Sequence, residues 1–289
     1  MRCTTRQSGF TLIELVVTLV ISAIVVSFVS LFISGSVKGF TDQTRRARLV
    51  DSADSALQRI GRDVRRALPN SVRTTTAGGV TALEMLSTVD GARYRAQPPG
   101  TDLQILDFAA RDDSFNVLGP FTQMTKPFSS TSHYLAIYNV GVPGADAYEQ
   151  PSNVITPAGT QIDISVDGAA AGEDRVTMSP TFKFAYASPT QRVFLLDGPV
   201  TYLCDGVAGT LLRYQGYSIA PSQASVDSHG ELLAAGATAS LMANQIVGCT
   251  FTYTPGTAER GGLLALSITV SAQGESVSLL SQVHVDNVP

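Results

Sequence analysis

The chain has 289 residues, of which 44% are hydrophobic, so it holds ample material for a core and is not a disordered protein. Its formal net charge is −4, and only 15% of its residues are charged, against roughly 25% in soluble globular domains. That deficit is typical of a surface that is rich in serine and threonine and lies outside the cytoplasm.

The first predicted element is a membrane-spanning helix. Residues 10–33 contain a single charged residue, and a helix of that length crosses a hydrocarbon core of about 30 Å. An ordinary secretory signal has an apolar region of only about 7–15 residues, although the small residues 34–36 leave a removable signal peptide as the alternative. A lipoprotein signal is excluded because Cys3 precedes the apolar run.

The charged residue within this run is Glu14. One interpretation is a tolerated polar residue close to the membrane boundary. Ionisable groups within a span are costly, however, and usually mark a partner or a function. Hydrolysis of the Gly9–Phe10 bond would create an ammonium group one helical turn from Glu14 and would supply a cation for it.

Residues 6–17, with glycine, phenylalanine and glutamate at positions 9, 10 and 14, resemble the class III signal of type IV pilins and type II secretion pseudopilins. The resemblance implies that a prepilin peptidase removes the leader 1–9 by cutting between Gly9 and Phe10, and then methylates the nitrogen of Phe10. It also implies that Glu14 acts in assembly by pairing with the N-terminal amine of a neighbouring subunit. A pair within one chain at i,i+4 competes with that arrangement, and the sequence leaves both open.

The same resemblance implies the surroundings of the protein. Its partners would be the prepilin peptidase, other major and minor pilins, the inner-membrane assembly platform and the lipid bilayer. The chain would cross the inner membrane of a Gram-negative bacterium once, hold its globular domain in the periplasm and enter an extracellular pilus. Major pilins often carry a proline around the position of Leu31; this span has none, so no local melting of the helix is expected.

The pattern stays helical over residues 34–69. Apolar residues recur there at spacings of three and four, which predicts an amphipathic helix packed on a core; the stripe is Ala53, Leu57, Ile60, Val64 and Leu68. Pro69 and Asn70 end the helix.

Arginines are dense around this helix, at positions 45, 46, 48, 59, 62, 65, 66 and 73. A nucleic-acid patch is disfavoured because no aromatic residues interleave and Asp51, Asp54 and Asp63 dilute the charge. We expect a solvated helix face with i,i+4 ion pairs and no nucleic-acid partner. Contact with neighbouring subunits is a further interpretation.

Residues 70–289 are predicted to form a β-rich domain. Short alternating runs predict strands at 80–86, 103–108, 133–140, 161–166, 182–187, 192–197 and 200–204. At the C-terminal end, alternation on both sides of residues 272–275 predicts a hairpin, preceded by a strand beginning near Cys249. The expected class is α+β, with a long N-terminal helix, transmembrane in its first half, on a mainly antiparallel sheet, as in the pilin-like fold that the resemblance implies.

Cys204 and Cys249 are the cysteines that follow the leader. In an oxidising compartment they predict a disulfide, whereas two cysteines without nearby histidine make a poor zinc site. By chain-entropy arithmetic, closing a loop of about 45 residues is worth roughly 4 kcal/mol.

No catalytic motif is found in the sequence. His133, His229 and His284 are isolated, and no nucleophile elbow, Walker loop or dinucleotide fingerprint occurs. The densest group of oxygen ligands fits no EF-hand loop and is interpreted as turn residues; it comprises Asp102, Asp107, Asp112, Asp113 and Asn116. We therefore expect no enzyme, no cofactor and no metal.

The length of the chain and further sequence stretches indicate which group of pilin-like proteins it resembles. After Gly9, 280 residues remain, which is large for a repeated subunit and favours a minor pilin. Residues 54–73 resemble the helix of PilW-type minor pilins and J pseudopilins. Residues 83–95, 200–204, 211–217 and 281–289 resemble the MshO family of minor pilins, which also has cysteines where this chain has Cys204 and Cys249.

These resemblances imply a minor pilin in the biogenesis of an MSHA-type (mannose-sensitive haemagglutinin) type IV pilus, acting in initiation, priming or at the tip of an adhesive filament. A type II secretion minor pseudopilin is the alternative. A membrane-anchored secreted enzyme is a third hypothesis.

Overall fold

The structure, a computed structural model, describes residues 9–98, 100–101, 103–256, 260–285 and 287–288. Residues 1–8 of the predicted leader and Asp102 of the predicted oxygen cluster lie outside the described residues. The chain divides into two compact units, residues 1–49 and residues 50–289.

Helix α1 runs over Leu12–Arg65, 54 residues, somewhat shorter than the predicted helix of residues 10–69. Its end comes early because the next residues bond to a strand: Leu68 N–H donates to the Leu86 carbonyl at 2.8 Å, and Ala67 forms a β-bridge with Ser87. Asn70, with φ of 60°, then turns the chain. In the second unit the predicted apolar stripe is buried, with Ala53 and Ile60 both fully inaccessible, which confirms that prediction.

The second unit contains most of the secondary structure. Its strands are β1 Arg73–Ala77, β2 Val80–Tyr94, β3 Asp112–Leu118, β4 Phe128–Ser130, β5 Tyr134–Ala136, β6 Gln161–Val166, β7 Glu173–Phe182, β8 Arg192–Asp205, β9 Thr210–Gln215, β10 Thr238–Asn244, β11 Ile246–Thr254, β12 Gly262–Ala272 and β13 Glu275–Val285. Helix α2 covers His229–Ala234, and short 3₁₀ turns cover Gln150–Ser152 and Gln223–Ser225.

The strands form two antiparallel sheets. The larger has the order β10-β9-β8-β2-β3-β7-β6-β4, with β1 added to β2 and β5 added to β8; the smaller has the order β11-β12-β13. The predicted α+β class, a long apolar N-terminal helix followed by a mostly antiparallel β-domain, is confirmed.

The C-terminal hairpin is also confirmed. Strands β12 and β13 pair in register, with Leu264 opposite Val283 and Val270 opposite Val277, and the alternate residues of β12 are buried. Gln273 and Gly274, with φ of 51° and 86°, form the two-residue turn whose twist suits adjacent antiparallel strands.

Two strand predictions are wrong, and one is too long. Residues 103–108 form turns, because Gln104 bonds back to Thr101. Residues 183–187 are irregular. The alternation there reflects an edge-to-face contact between two aromatic rings, Phe182 and Phe184, whose centroids lie 4.9 Å apart. The run 133–140 is a strand only over Tyr134–Ala136.

Two predicted strands are parts of a single strand in the structure. Six further strands of the structure are not predicted from the sequence. Residues 192–197 and 200–204 belong to β8, which continues through Gly198 at φ of 116° by a register shift opposite Ser87 and Thr88. The strands β1, β3, β4, β7, β9 and β10 are not predicted, because their short polar or irregular patterns give little periodic signal.

Candidate functional site

The junction between leader and helix lies outside the regular structure. Gly9, Phe10 and Thr11 are not helical, and helix α1 begins at Leu12. The side chain of Phe10 is 78% exposed. The peptide bond between Gly9 and Phe10 is therefore in extended or irregular chain, which is the form in which a protease can bind a substrate backbone.

The position of Gly9 is open. A Cβ built on Gly9 meets no atom within 4 Å, and its φ lies outside the left-handed region. A larger residue at this position therefore fits the chain itself. Any effect of such a residue on cleavage would arise in the enzyme that binds the junction.

The first turn of α1 is held by a capping box. Thr11 Oγ1 accepts from the Glu14 N–H at 3.3 Å, while Glu14 Oε2 accepts from the Thr11 hydroxyl at 3.1 Å and from the Thr11 N–H at 3.4 Å. These bonds satisfy donors that a helix start leaves without partners. This capping role of Glu14 is absent from the sequence predictions, although the local pattern Thr-x-x-Glu signals it. The carboxylate also lies at the positive end of the helix dipole.

After the first turn the helix is suited to lipid. Within the described residues, one helix is long and apolar enough to cross a membrane, and its mean hydropathy reaches 2.8 over 18 residues, none of which is buried. Two of its hydroxyls bond within the helix, with Thr18 donating to the Leu15 carbonyl and Ser27 to the Ala23 carbonyl. The hydroxyls of these two residues therefore need no water to satisfy them.

The structure joins Cys204 to Cys249 by a disulfide, with 6.2 Å between the Cα atoms. Cys204 lies near the end of β8 in the large sheet and Cys249 lies in β11 of the small sheet, so the bridge ties the two sheets together. Two backbone segments approach closely beside the disulfide, since a Cβ on Gly206 would lie 2.9 Å from the Val247 carbonyl oxygen.

A buried ion pair holds the start of the β-domain. The prediction that Arg73 belongs to a solvated arginine face is wrong: it is the first residue of β1, and its guanidinium pairs at 2.7 Å with Glu84, whose side chain is inaccessible. The same guanidinium stacks 3.5 Å from the ring centre of Tyr148. Burial raises the pKa of Glu84, and the charge of Arg73 opposes that shift.

A second ion pair joins the C-terminal part of α1 to the sheet. Asp63, also predicted on the solvated face, forms the expected i,i+4 ion pair with Arg59 at 3.4 Å. It is only partly exposed, however, and it also accepts from Arg213 Nε at 2.7 Å and from the Tyr202 hydroxyl at 2.8 Å. Burial and the neighbouring carboxylate raise the pKa of Tyr202. Both ion pairs join residues far apart in the chain or in different elements, so no local pattern announces them.

The predicted oxygen cluster does not converge on one point. Asp112 accepts from the backbone N–H groups of Asp107 and Ser114, as expected of turn residues. Asn116 is buried and donates elsewhere, to Asp167. Donation from Asn116, from the Ala169 N–H and from Gln104 lowers the pKa of Asp167 to about 2. In the described part of the chain no three acidic, histidine or cysteine residues are grouped to hold a metal.

One histidine has neighbours of the kind found in hydrolases. Ser130 Oγ lies 2.7 Å from His133 Nδ1, and Asp197 Oδ1 lies 3.7 Å from His133 Nε2. The serine thus contacts the nitrogen that normally binds the carboxylate in a catalytic triad. The Ser130 oxygen also accepts from the Ser132 N–H, and the Asp197 side chain is 62% exposed. His229 bonds to the Tyr214 hydroxyl, and His284 is exposed on β13.

Comparison with known proteins identifies the N-terminal part of the chain. Residues 4–30 match the family described as the prokaryotic N-terminal methylation motif. No curated protein and no solved structure matches the chain. The chain thus carries a prepilin signal of the type IV pilin kind, and Gly9, Phe10 and Glu14 lie within it.

Proposed function

We propose that this chain is a minor pilin of an MSHA-type type IV pilus, cleaved by prepilin peptidase between Gly9 and Phe10 and methylated at Phe10. The N-terminal methylation motif indicates a type IV pilin-like or pseudopilin-like protein, processing by prepilin peptidase and assembly with other pilins. The apolar helix indicates anchoring in a membrane. In the proposal that membrane is the inner membrane of a Gram-negative bacterium, and the β-rich domain of residues 70–289 lies in the periplasm.

One observation carries this proposal: the cleavage junction of the motif lies immediately before a capped apolar helix. The scissile bond is outside the helix, and the helix that remains after cleavage begins two residues later. Removal of the leader therefore leaves α1 and its capping box intact. Such a product is ready to pack laterally against apolar helices of other subunits.

The size of the β-domain supports the role of a minor pilin. A subunit with 280 residues after the junction and thirteen strands in its described part is large for a repeating unit of a filament. The stretches that resemble the MshO family support the pilus over the alternatives, and three of them lie in the neighbouring strands β2, β8 and β9. We propose a role in initiation, priming or at the tip.

A substitution at Gly9 tests the processing step. In the native host, Gly9→Leu should leave a precursor that retains the leader 1–9, because the larger side chain blocks binding by the peptidase. Gly39→Leu is the matched control: Gly39 also has open space around a Cβ but lies downstream in α1, and this variant should be processed normally. Immunoblotting and intact mass would distinguish the two forms. Normal processing of Gly9→Leu would refute the assignment of the junction.

The type II secretion pseudopilus is the alternative assembly, since it uses the same kind of signal. Deletion of the gene separates the two. Our proposal predicts loss or strong reduction of surface pili with normal secretion of folded exoproteins. Normal piliation together with blocked secretion would replace the proposal with the pseudopilin role.

We also propose that the chain is not an enzyme. The Ser130, His133 and Asp197 contacts support this, because the serine meets the wrong ring nitrogen and the aspartate is exposed to water. The chemistry at Gly9 and Phe10 is performed on the chain by its processing enzyme.

A further inference from the structure

Strand β13 is the outermost strand of the small sheet. Among the described residues it pairs with β12 and with no other strand. Because Ala272 and Glu275 close the two-residue hairpin turn, they form a hydrogen-bonded pair, and such pairs alternate with unbonded ones along the ladder. Every second residue of β13 therefore points its backbone N–H and C=O away from β12. We call these residues the free edge: Ser276, Ser278, Leu280, Gln282 and His284.

The free edge lacks the features that usually keep a strand from pairing with another chain. Protected edges are short, carry lysine or proline, or are bent by a bulge. Strand β13 has 11 residues and pairs with β12 without a shift of register. Residues 276–284 contain no proline, lysine, arginine, aspartate or glutamate. Such an edge is suited to the addition of a strand.

The strands at the other ends of the two sheets are different. Strand β4, at one end of the large sheet, covers only three residues, and β10, at the other end, has a register shift between Leu241 and Ala243. Strand β11, on the far side of the small sheet, has a shift between Ile246 and Gly248 and is joined to β8 by the disulfide. Of these end strands, β13 is the long and regular one.

The side chains of the free edge are all exposed, and they point to the open face of the small sheet. The central one is Leu280, which is 71% exposed. If two copies pair antiparallel about this residue, Leu280 meets its own equivalent, Ser278 meets Gln282, and Ser276 meets His284. These pairs oppose no like charges, and each brings outward N–H and C=O groups together. The edge is therefore complementary to itself.

The inner side of the edge also has room for a second strand. There β13 and the C-terminal part of α1 line a groove of about 220 Å³, with Ser281 and Val283 on the strand and Leu57 and Gly61 on the helix. In the same register, Leu279 of a second copy lies opposite Ser281, on the side of this groove. An apolar side chain gains free energy by being buried there.

We propose that the free edge of β13 binds the same edge of a second copy of this chain, in antiparallel orientation and centred on Leu280. The two small sheets then form one continuous sheet across a twofold axis. About ten backbone hydrogen bonds join the copies, two from each hydrogen-bonded pair. The contact belongs to the β-domain and does not depend on cleavage at Gly9, so its failure would leave the proposed function in place.

Cysteine crosslinking in membranes of the native host tests the register. In a Cys3→Ser background, in which the leader adds no thiol, Leu280→Cys should form a disulfide-linked dimer on mild oxidation. The reason is that hydrogen-bonded partners have Cα atoms about 5.5 Å apart, and disulfides span roughly 4.4–6.8 Å. Ser276→Cys is the matched control on the same edge: its equivalents lie roughly 27 Å apart, at about 3.4 Å per residue, so it should run as a monomer on a non-reducing gel.

Three crosslinking results would overturn the proposal. One is the absence of a crosslinked product from Leu280→Cys, and the second is equal dimer formation by Ser276→Cys. The third is a product in which Leu280→Cys is joined to a different protein, because the edge would then bind another partner in place of a second copy.

Substitutions at Leu280 separate dimer formation from folding. Leu280→Pro removes an outward N–H that β12 does not use, so the chain should unfold at nearly the native temperature, whereas its dimer should be weakened about tenfold or more. Leu280→Lys should also weaken the dimer, because it sets like charges opposite each other. Thr252→Lys, on the same face of the small sheet but on β11, is the control and should dimerise like the native chain. Sedimentation of the full chain in neutral detergent gives the dissociation constants, and equal constants for all four chains would contradict pairing through β13.

Discussion

At the scale of single residues, two different groups can bind the carboxylate of Glu14: the hydroxyl of Thr11 and the N-terminal ammonium group of a cleaved chain. In the uncleaved chain its carboxylate is bound by Thr11 within a capping box. The proposed cleavage between Gly9 and Phe10 would add an ammonium group at Phe10, adjacent to that box. A carboxylate in an apolar environment gains most from a full counter-charge, so the assembled state should favour the ammonium group over the hydroxyl of Thr11.

Substitutions at these two positions distinguish the roles. Thr11→Val removes the hydroxyl and should cost only the cap, about 1 kcal/mol, with nearly normal incorporation into filaments. Glu14→Val removes the charge and should reduce incorporation at least about tenfold while leaving membrane insertion intact. The measurement is the ratio of the chain in sheared filaments to the chain in membranes. Equal behaviour of the two variants would show that helix capping is the whole role of Glu14.

Residues with local signals are predictable, and residues with distant partners are not. Gly9, Phe10 and Glu14 lie within a single stretch of chain whose pattern is visible without any fold. The Thr-x-x-Glu capping box is equally local, but the family resemblance assigns Glu14 an intersubunit partner and assigns no role to Thr11. Arg73, by contrast, bonds to carbonyls of residues 220 and 221, which only the folded chain brings near.

At the scale of elements, the C-terminal part of α1 is attached to the sheet by more than its apolar stripe. Asp63 interrupts the row of arginines and accepts from Arg213 and Tyr202 across the interface. The helical period predicts which side of α1 faces the core. It does not predict that a residue beside the stripe meets a buried guanidinium, since that depends on the register of β9.

A conservative change at Asp63 tests this attachment. Asp63→Asn leaves Arg213, whose side chain is 11% exposed, without its counter-charge, and should cost about 2–4 kcal/mol. That corresponds to a fall of about 5–10 °C in the thermal unfolding midpoint of the full chain in detergent. Asp54→Asn is the control, because Asp54 is exposed and accepts from the neutral side chain of Gln58; its midpoint should change little. Equal midpoints for both variants would contradict the structural role of Asp63.

Comparing the predicted strands with the observed ones shows which sequence patterns predict a strand. The β12 and β13 hairpin is predictable because strict alternation flanks a turn that contains glycine. The stretches 103–108 and 183–187 alternate in the same way but form no ladder, since their buried apolar side chains project from turns and irregular chain. A short strand such as β4 owes its existence to neighbours in the sheet, which a single sequence does not reveal.

At the scale of the whole molecule, the chain combines an exposed apolar helix with a disulfide-linked β-domain. The Cys204–Cys249 bridge ties the large sheet to the C-terminal hairpin sheet, and such bridges persist in oxidising compartments. A prepilin signal at one end and a disulfide-linked domain at the other support the proposed location of that domain outside the cytoplasm. We therefore regard the chain as a pilin-like precursor that is matured at one bond.

The N terminus of the mature chain tests that conclusion most directly. The chain should be purified from membranes of the native host, and its N-terminal peptide identified by mass spectrometry. We predict that this peptide begins at Phe10 and carries one methyl group on its nitrogen. A chain that begins at Met1, or one that begins after the small residues 34–36 as a cleaved secretory signal would leave it, would contradict maturation at the Gly9–Phe10 bond.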